Sequence, residues 1–128
     1  MRQIVTSSRA PPAIGAYSQA IESGNLLFTS GQIAMDPETG KLVEGGIVTQ
    51  TERVLDNLQA VLEAAGLSFD HVVKTTIYLI DLADFATVNE LYAKRFSHEP
   101  SARSTVQVAA LPRGARLLMD MVATTQFI

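Results

Sequence analysis

The stretch TQTERVLDNLQAVLEAAGLSFDHVVKTTIYLI, residues 49–80, carries two periodicities back to back. In its first half the apolar residues return every three or four positions. Val54, Leu55, Leu58, Val61, Leu62 and Ala65 therefore fall on one face of a helix. Thr49 and Glu52 have the spacing of a capping box at its start, and Gly66 is a natural stop. The second half, VVKTTIYLI at 72–80, is rich in β-branched residues and reads as a strand.

Downstream, DLADFATVNELYAKRF (81–96) predicts a second helix. Asp81 with Asp84 is expected to cap it, and Phe85, Val88, Tyr92 and Phe96 form its apolar stripe. Upstream, IVTSS, AYSQAIE and NLLFTSGQI read as strands, with turns at Ser23-Gly24-Asn25 and at DPETG (36–40). TVQVAAL and RLLMDMVAT follow the second helix, separated by Pro112-Arg113-Gly114. Several strands, a helix, a strand, a helix and two more strands suit an α+β fold, a single domain over 1–128. The expected architecture is a six-stranded mixed sheet with both helices on one face.

Strand parity sharpens this. Along 103–109, Arg103, Thr105, Gln107 and Ala109 share one face, and Ser104, Val106 and Val108 share the other. The apolar set is expected to meet the helices. Two helices leave the far face uncovered, and that face takes either 73, 75, 77 and 79 or 72, 74, 76, 78 and 80. Both sets contain apolar residues, which points to self-association.

Composition excludes several chemistries. Hydrophobic residues make up 47% and charged residues 18%, as in a globular chain. The net charge of −3 argues against a polyanion partner, and Lys94-Arg95 and Arg113 with Arg116 read as solvated surface. The absence of cysteine removes disulfides, thiolate metal sites and cysteine nucleophiles together. No signal-peptide core and no bilayer-length apolar run occur, so a soluble cytoplasmic protein is expected. His71 and His98 have no metal-ligand spacing and read as surface residues. Ser30-Gly31-Gln32 marks either a bulge or a close approach of ligand to backbone. Tyr17, in GAYSQA, reads as a packed aromatic with a hydroxyl to spare.

Arg103 stands out in PSARSTVQVAALP (100–112), at the mouth of a run of small or apolar neighbours. It reads either as a strand-end arginine in an ordinary ion pair or as a fork for a ligand carboxylate, with the Ser104 and Thr105 amides as further donors. From the residues alone, the chain is an α+β domain suited to a small anion.

Taken together, IGAYSQA, LLFTSGQIAMDPETGKLV, NLQAVLEAAGLSFDHVVKTTIYLIDLADFATVNELYAKRF and ARSTVQVAALPRGARL resemble the RidA (YjgF/YER057c/UK114) family almost end to end. The resemblance implies a chorismate-mutase-like fold assembled as a homotrimer with clefts between subunits, and no metal or organic cofactor. It implies hydrolysis of reactive 2-imino or 2-enamino acids, such as 2-iminobutanoate and 2-iminopropanoate, to 2-oxo acids and ammonia. On that likeness Arg103 grips the substrate carboxylate and Tyr17 positions substrate. Ser30, Gly31, Asn89 and Thr105 line the cleft.

One position departs from the family signature. Leu118 stands where a glutamate taken to orient or activate water is usual. Leucine neither accepts a proton nor holds a water. Asp120 lies on the same strand face, about 7 Å further along. Ala16 also replaces a common proline. The departure opens a second reading, a weakly active or non-catalytic homologue that binds small carboxylates or acts as a stress- or chaperone-like protein. A nucleic-acid-cleaving role fits the acidic balance least well.

Overall fold

The computed structural model describes residues 2–96 and 99–126; His98 lies outside them. Six strands form one sheet: β1 (Arg2–Val5), β2 (Ala20–Ser23), β3 (Leu26–Thr29), β4 (Val72–Leu79), β5 (Ala102–Gln107) and β6 (Leu117–Thr124). Their spatial order is β1-β2-β3-β6-β4-β5. Helix α1 (Ile47–Ala64) connects β3 to β4, and α2 (Phe85–Ala93) connects β4 to β5. β4 and β5 are parallel, as a helical crossover demands, and β6 inserts antiparallel between β3 and β4.

One layer of side chains closes the helix face. Val54, Leu55, Leu58, Val61 and Leu62 from α1 meet Ile77 and Leu79 of β4 and Leu117, Met119 and Met121 of β6. Each is at most 1% exposed. Burial of each such side chain contributes roughly 1.5–3 kcal/mol, so this layer is what fixes the sheet. The 49–66 pattern thus packs as expected, and Gly66 adopts φ +76° just past the helix, the left-handed stop that glycine tolerates.

The helix starts differ from expectation. α1 begins at Ile47, with Gly46 as its cap and no side-chain cap bond, because half-buried Ile47 packs against the core and draws the helix back past Thr49. Ahead of α2, Asp81 accepts from the Ala83 amide at 2.9 Å and starts a single tight turn over Leu82–Asp84. Asp84 precedes α2 without capping it; its carboxylate accepts from Arg116 at 2.9 Å instead. Arg95 is likewise no solvated cation, pairing with Asp56 at 2.9 Å and Glu52 at 3.5 Å across to α1. The first strand covers Arg2–Val5, short of IVTSS, because Ser7 is taken up by a buried glutamine described below.

Parity on β5 is the larger correction. Arg103 pairs in register with Thr75, Thr105 with Ile77 and Gln107 with Leu79, so the polar set faces the helices. Ser104 and Val106 pair with Thr76 and Tyr78 on the uncovered face, where Val106 is 43% exposed. β5 is an edge strand, and α2 offers it aromatic ring faces that suit a guanidinium better than an aliphatic chain. On β4, a register shift between Val72 and Lys74 leaves Lys74, Thr76 and Tyr78 on the open face and buries Val72 with the core.

Candidate active site

The open face of the sheet carries the first half of the site. β3 pairs with β6 through Phe28↔Val122, yet four residues on, Gln32 bridges Met119, only three residues back along β6. One extra residue therefore lies in the Ser30-Gly31 segment, which is a bulge. The Thr29 hydroxyl fills the gap by accepting from the Met121 amide at 2.9 Å. Asn57 on α1 holds the segment beyond it, donating to the Met35 and Ile33 carbonyls at 3.0 and 3.3 Å.

The bulge brings Gly31 against β6. A Cβ built on Gly31 would lie 2.6 Å from Leu118 Cδ2, closer than real Cβ contacts allow, and 3.0 Å from its Cγ. Of the two readings the bulge is the one seen, and the side chain that approaches Gly31 within the chain is Leu118. Around this contact a cavity of about 460 Å³ is lined by Tyr17, Ser30, Gly31, Tyr78, Leu111, Leu118 and Asp120.

Tyr17 is not packed. It is 53% exposed, and its ring stands at the cavity wall with the hydroxyl 3.4 Å from the Ile14 amide. What holds its segment is Gln19, which is buried. Gln19 accepts from the Ser7 amide at 2.6 Å and donates to the Pro11 and Ser7 carbonyls at 2.7 and 3.1 Å. One amide side chain thereby ties residues 7–11 to β2 and frees Tyr17 to face outward. The Ser30 hydroxyl donates to the Ser18 carbonyl, closing the same corner.

Burial raises the Asp120 carboxyl above its ordinary value, opposed by the neighbouring Tyr78 hydroxyl and the charge of Lys74. The Tyr78 phenol is raised in turn, chiefly by the charge of Asp120. Lys74 itself donates to Ser104 at 2.9 Å on the neighbouring strand.

The second half lies across the sheet. Arg103 reaches over α2, its guanidinium carbon 5.1 Å from the centre of the Tyr92 ring and 5.4 Å from that of Phe85. The Tyr92 hydroxyl is fixed in turn, 2.8 Å from Thr75 Oγ1 and 2.9 Å from Ser101 Oγ. Asn89 stands four residues after Phe85 and three before Tyr92, hence on the helix face that carries both rings. Among the described residues no ion pair or hydrogen bond engages the Arg103 guanidinium. Two residues along β5, the Thr105 hydroxyl is buried with no hydrogen-bond partner among the described residues.

One chain thus brings together Tyr17, Ser30, Gly31 and Leu118, and separately Arg103, Thr105 and Asn89. The second group contributes nothing to the cavity lining. Sequence reading missed Gln19, Tyr78 and the Phe85–Tyr92 pair as site residues. Only the two rings left a signal there, at i and i+7 of the helical stripe, and that spacing is equally that of core residues. His71 takes a structural role, its Nδ1 accepting from the Ser68 amide at 3.1 Å. Among the described residues no group of three or more His, Cys, Asp or Glu side chains is placed to hold a metal ion, and no helix is long and apolar enough to cross a membrane.

This sheet-and-helix arrangement is that of a known family, and comparison with characterised chains agrees. The model of the family described as Endoribonuclease L-PSP matches residues 7–125. Protein DfrA of Myxococcus xanthus is 52% identical over 97% of this chain and 96% of its own length. The chloroplastic Reactive Intermediate Deaminase A of Arabidopsis thaliana is 51% identical over 96% of this chain, which spans 66% of that longer protein. The 2-iminobutanoate/2-iminopropanoate deaminase of Homo sapiens is 46% identical over 96% of this chain and 90% of its own. Among solved structures, E. coli TdcF with bound serine superimposes with a TM-score of 0.89 at 38% identity, covering 97% of this chain and 99% of its own. The chain belongs to the RidA (YjgF) family, also described as the endoribonuclease L-PSP family.

Proposed function

We propose that the protein hydrolyses reactive 2-imino acids to 2-oxo acids and ammonia, in a cleft that two copies of the chain complete. The observation that carries this reading is Arg103: a guanidinium over two rings whose donors find no partner among the described residues, with the Thr105 hydroxyl, likewise unpartnered among them, two residues along the strand. Such a fork suits a substrate carboxylate, gripped by two parallel charge-assisted hydrogen bonds. The cavity at Tyr17, Ser30 and Gly31 then receives the C=N group and its side chain, and Leu111 and Leu118 give it an apolar wall. Such a wall suits 2-iminobutanoate and 2-iminopropanoate, whose side chains are ethyl and methyl. The human relative bears the name of a deaminase of those two substrates, and TdcF is a relative with an amino acid bound.

Two features support the assembly. The open face exposes Phe28 and Val106 at 44% and 43%, beside Leu26 and Ile4, which suits a further layer of protein. β5, the strand that carries Arg103, is an edge with one side unpaired in the single chain. A homotrimer, with Arg103 of one copy opposite the cavity of the next, uses both features and unites the two halves. Phosphate-backbone binding is a poorer use of the same site, since the lining contributes a carboxylate and no cation and the chain carries a net charge of −3.

The test is a coupled assay in which a dehydratase generates 2-iminobutanoate in situ. The protein is expected to speed its conversion to 2-oxobutanoate and ammonia, and Arg103→Ala to abolish the acceleration. Decay at the buffer rate with the native protein would sink the reading. Leu118 favours a second reading, a small-carboxylate binder without turnover. That reading expects 2-oxobutanoate to bind in an Arg103-dependent way while imine decay stays unchanged.

A further inference from the structure

The cavity poses a chemical problem that the family likeness does not solve. Addition of water to a C=N carbon needs a group to take a proton, and Leu118 cannot. Tyr17, Ser30, Gly31, Tyr78, Leu111 and Leu118 leave one carboxylate in the lining, that of Asp120. It sits on β6 two residues from Leu118, on the same open face, opposite Thr76 and diagonal to Tyr78, which pairs with Leu118.

We infer that Asp120, in the cavity lining two residues from Leu118 and diagonal to Tyr78, is the acid–base group of this cavity and does the proton transfers that position 118 cannot. The inference rests on the hydrolytic reading above. The Asp120 carboxylate takes a proton from water as the water oxygen bonds to the imine carbon and the C=N π pair moves to nitrogen. Asp120 then returns that proton to the nitrogen, giving a carbinolamine. The carbinolamine hydroxyl next loses its proton to Asp120 and the C–O bond becomes C=O. The C–N bond breaks, and nitrogen takes the proton as ammonia departs. Water is consumed, one ammonia leaves and Asp120 ends ionised, so the cycle closes without an outside reagent.

The environment suits this work. Burial raises the carboxyl, the direction that strengthens a base, while Tyr78 and, more weakly, Lys74 favour its ionised form. Both groups come from β4; Ser30 and Gly31 face the cavity from the bulge and carry no charge.

The test uses the assembled protein in the coupled imine assay. Asp120→Asn is expected to lower kcat about 10²-fold or more, the usual loss of a general base, with KM near its native value. Leu118→Glu added to Asp120→Asn is expected to restore turnover, because it returns a carboxylate to the same lining. Tyr78 favours the ionised form of Asp120, so Tyr78→Phe is expected to raise its pKa. The base works ionised and activity falls as pH drops through that pKa, so the acid limb of kcat against pH should move to higher pH. A merely structural tyrosine would not move it. Native turnover with full kcat in Asp120→Asn, or an unmoved acid limb in Tyr78→Phe, overturns the inference and leaves the imine reading standing. No turnover by the native protein overturns both.

Discussion

Alternate residues of β6 live under different rules. Leu117, Met119, Met121 and Ala123 are at most 1% exposed and lock the sheet to the helices. Leu118, Asp120, Val122 and Thr124, interleaved with them, are half-buried on the open face, and two of them line the cavity. A slip of one residue would exchange the two sets, so the core that fixes the register also aims the site. Substitutions on the helix face should therefore cost stability, and those on the open face and at the β5 edge should cost activity.

The largest expected effect is at Arg103. Two charge-assisted hydrogen bonds of about 1.5–3 kcal/mol each predict that Arg103→Ala lowers kcat/KM about 10²–10⁴-fold, with Tm nearly unchanged. Steady-state kinetics and calorimetry on one preparation check both halves. Leu117→Ala, next door to Leu118 but on the buried side, should do the reverse. A loss of about 2–5 kcal/mol in denaturant unfolding is expected, with kcat retained where the protein remains folded. Gly31→Ala forces its new methyl into Leu118, at an expected cost of about 1–3 kcal/mol. Adding Leu118→Ala should recover most of that loss; additive costs would show that the two do not press on each other. The smallest effect belongs to Tyr92→Phe, which keeps the ring under Arg103 but removes a hydroxyl bonded to Thr75 and Ser101. About 1 kcal/mol of stability should go, with kcat/KM close to native.

The contrast also explains what the sequence revealed. The α1 stripe was legible because a helix against a sheet must repeat its apolar residues every three or four positions, and Val54, Leu58 and Leu62 do. Six strands and both crossovers followed from β-branched runs and turn residues. The β5 face was misread because alternation normally ranks apolar above polar for burial, whereas α2 presents two ring faces that take up an arginine. Tyr17 was misread for a related reason: its outward pose depends on Gln19, twelve residues from its partner Ser7, a link that no local pattern encodes. The α1 start was misplaced because Thr49 and Glu52 have capping-box spacing, yet tertiary packing of Ile47 outweighs it. Family likeness supplied Arg103, Ser30, Gly31, Asn89 and Thr105 together; geometry sorts them into two groups on opposite sides of the sheet.

In the proposed site a single chain carries both groups, Tyr17 with Leu118 and Arg103 with Thr105, on opposite faces of the sheet. Mixing inactive partners tests it most directly. Arg103→Ala and Tyr17→Ala chains, each deficient alone, are unfolded together, refolded as mixed assemblies and assayed for imine hydrolysis. If each cleft takes Arg103 from one copy and Tyr17 from its neighbour, an equal mixture regains about a quarter of native activity, the share of clefts with both native halves. Activity no greater than the average of the two separate proteins would contradict the account.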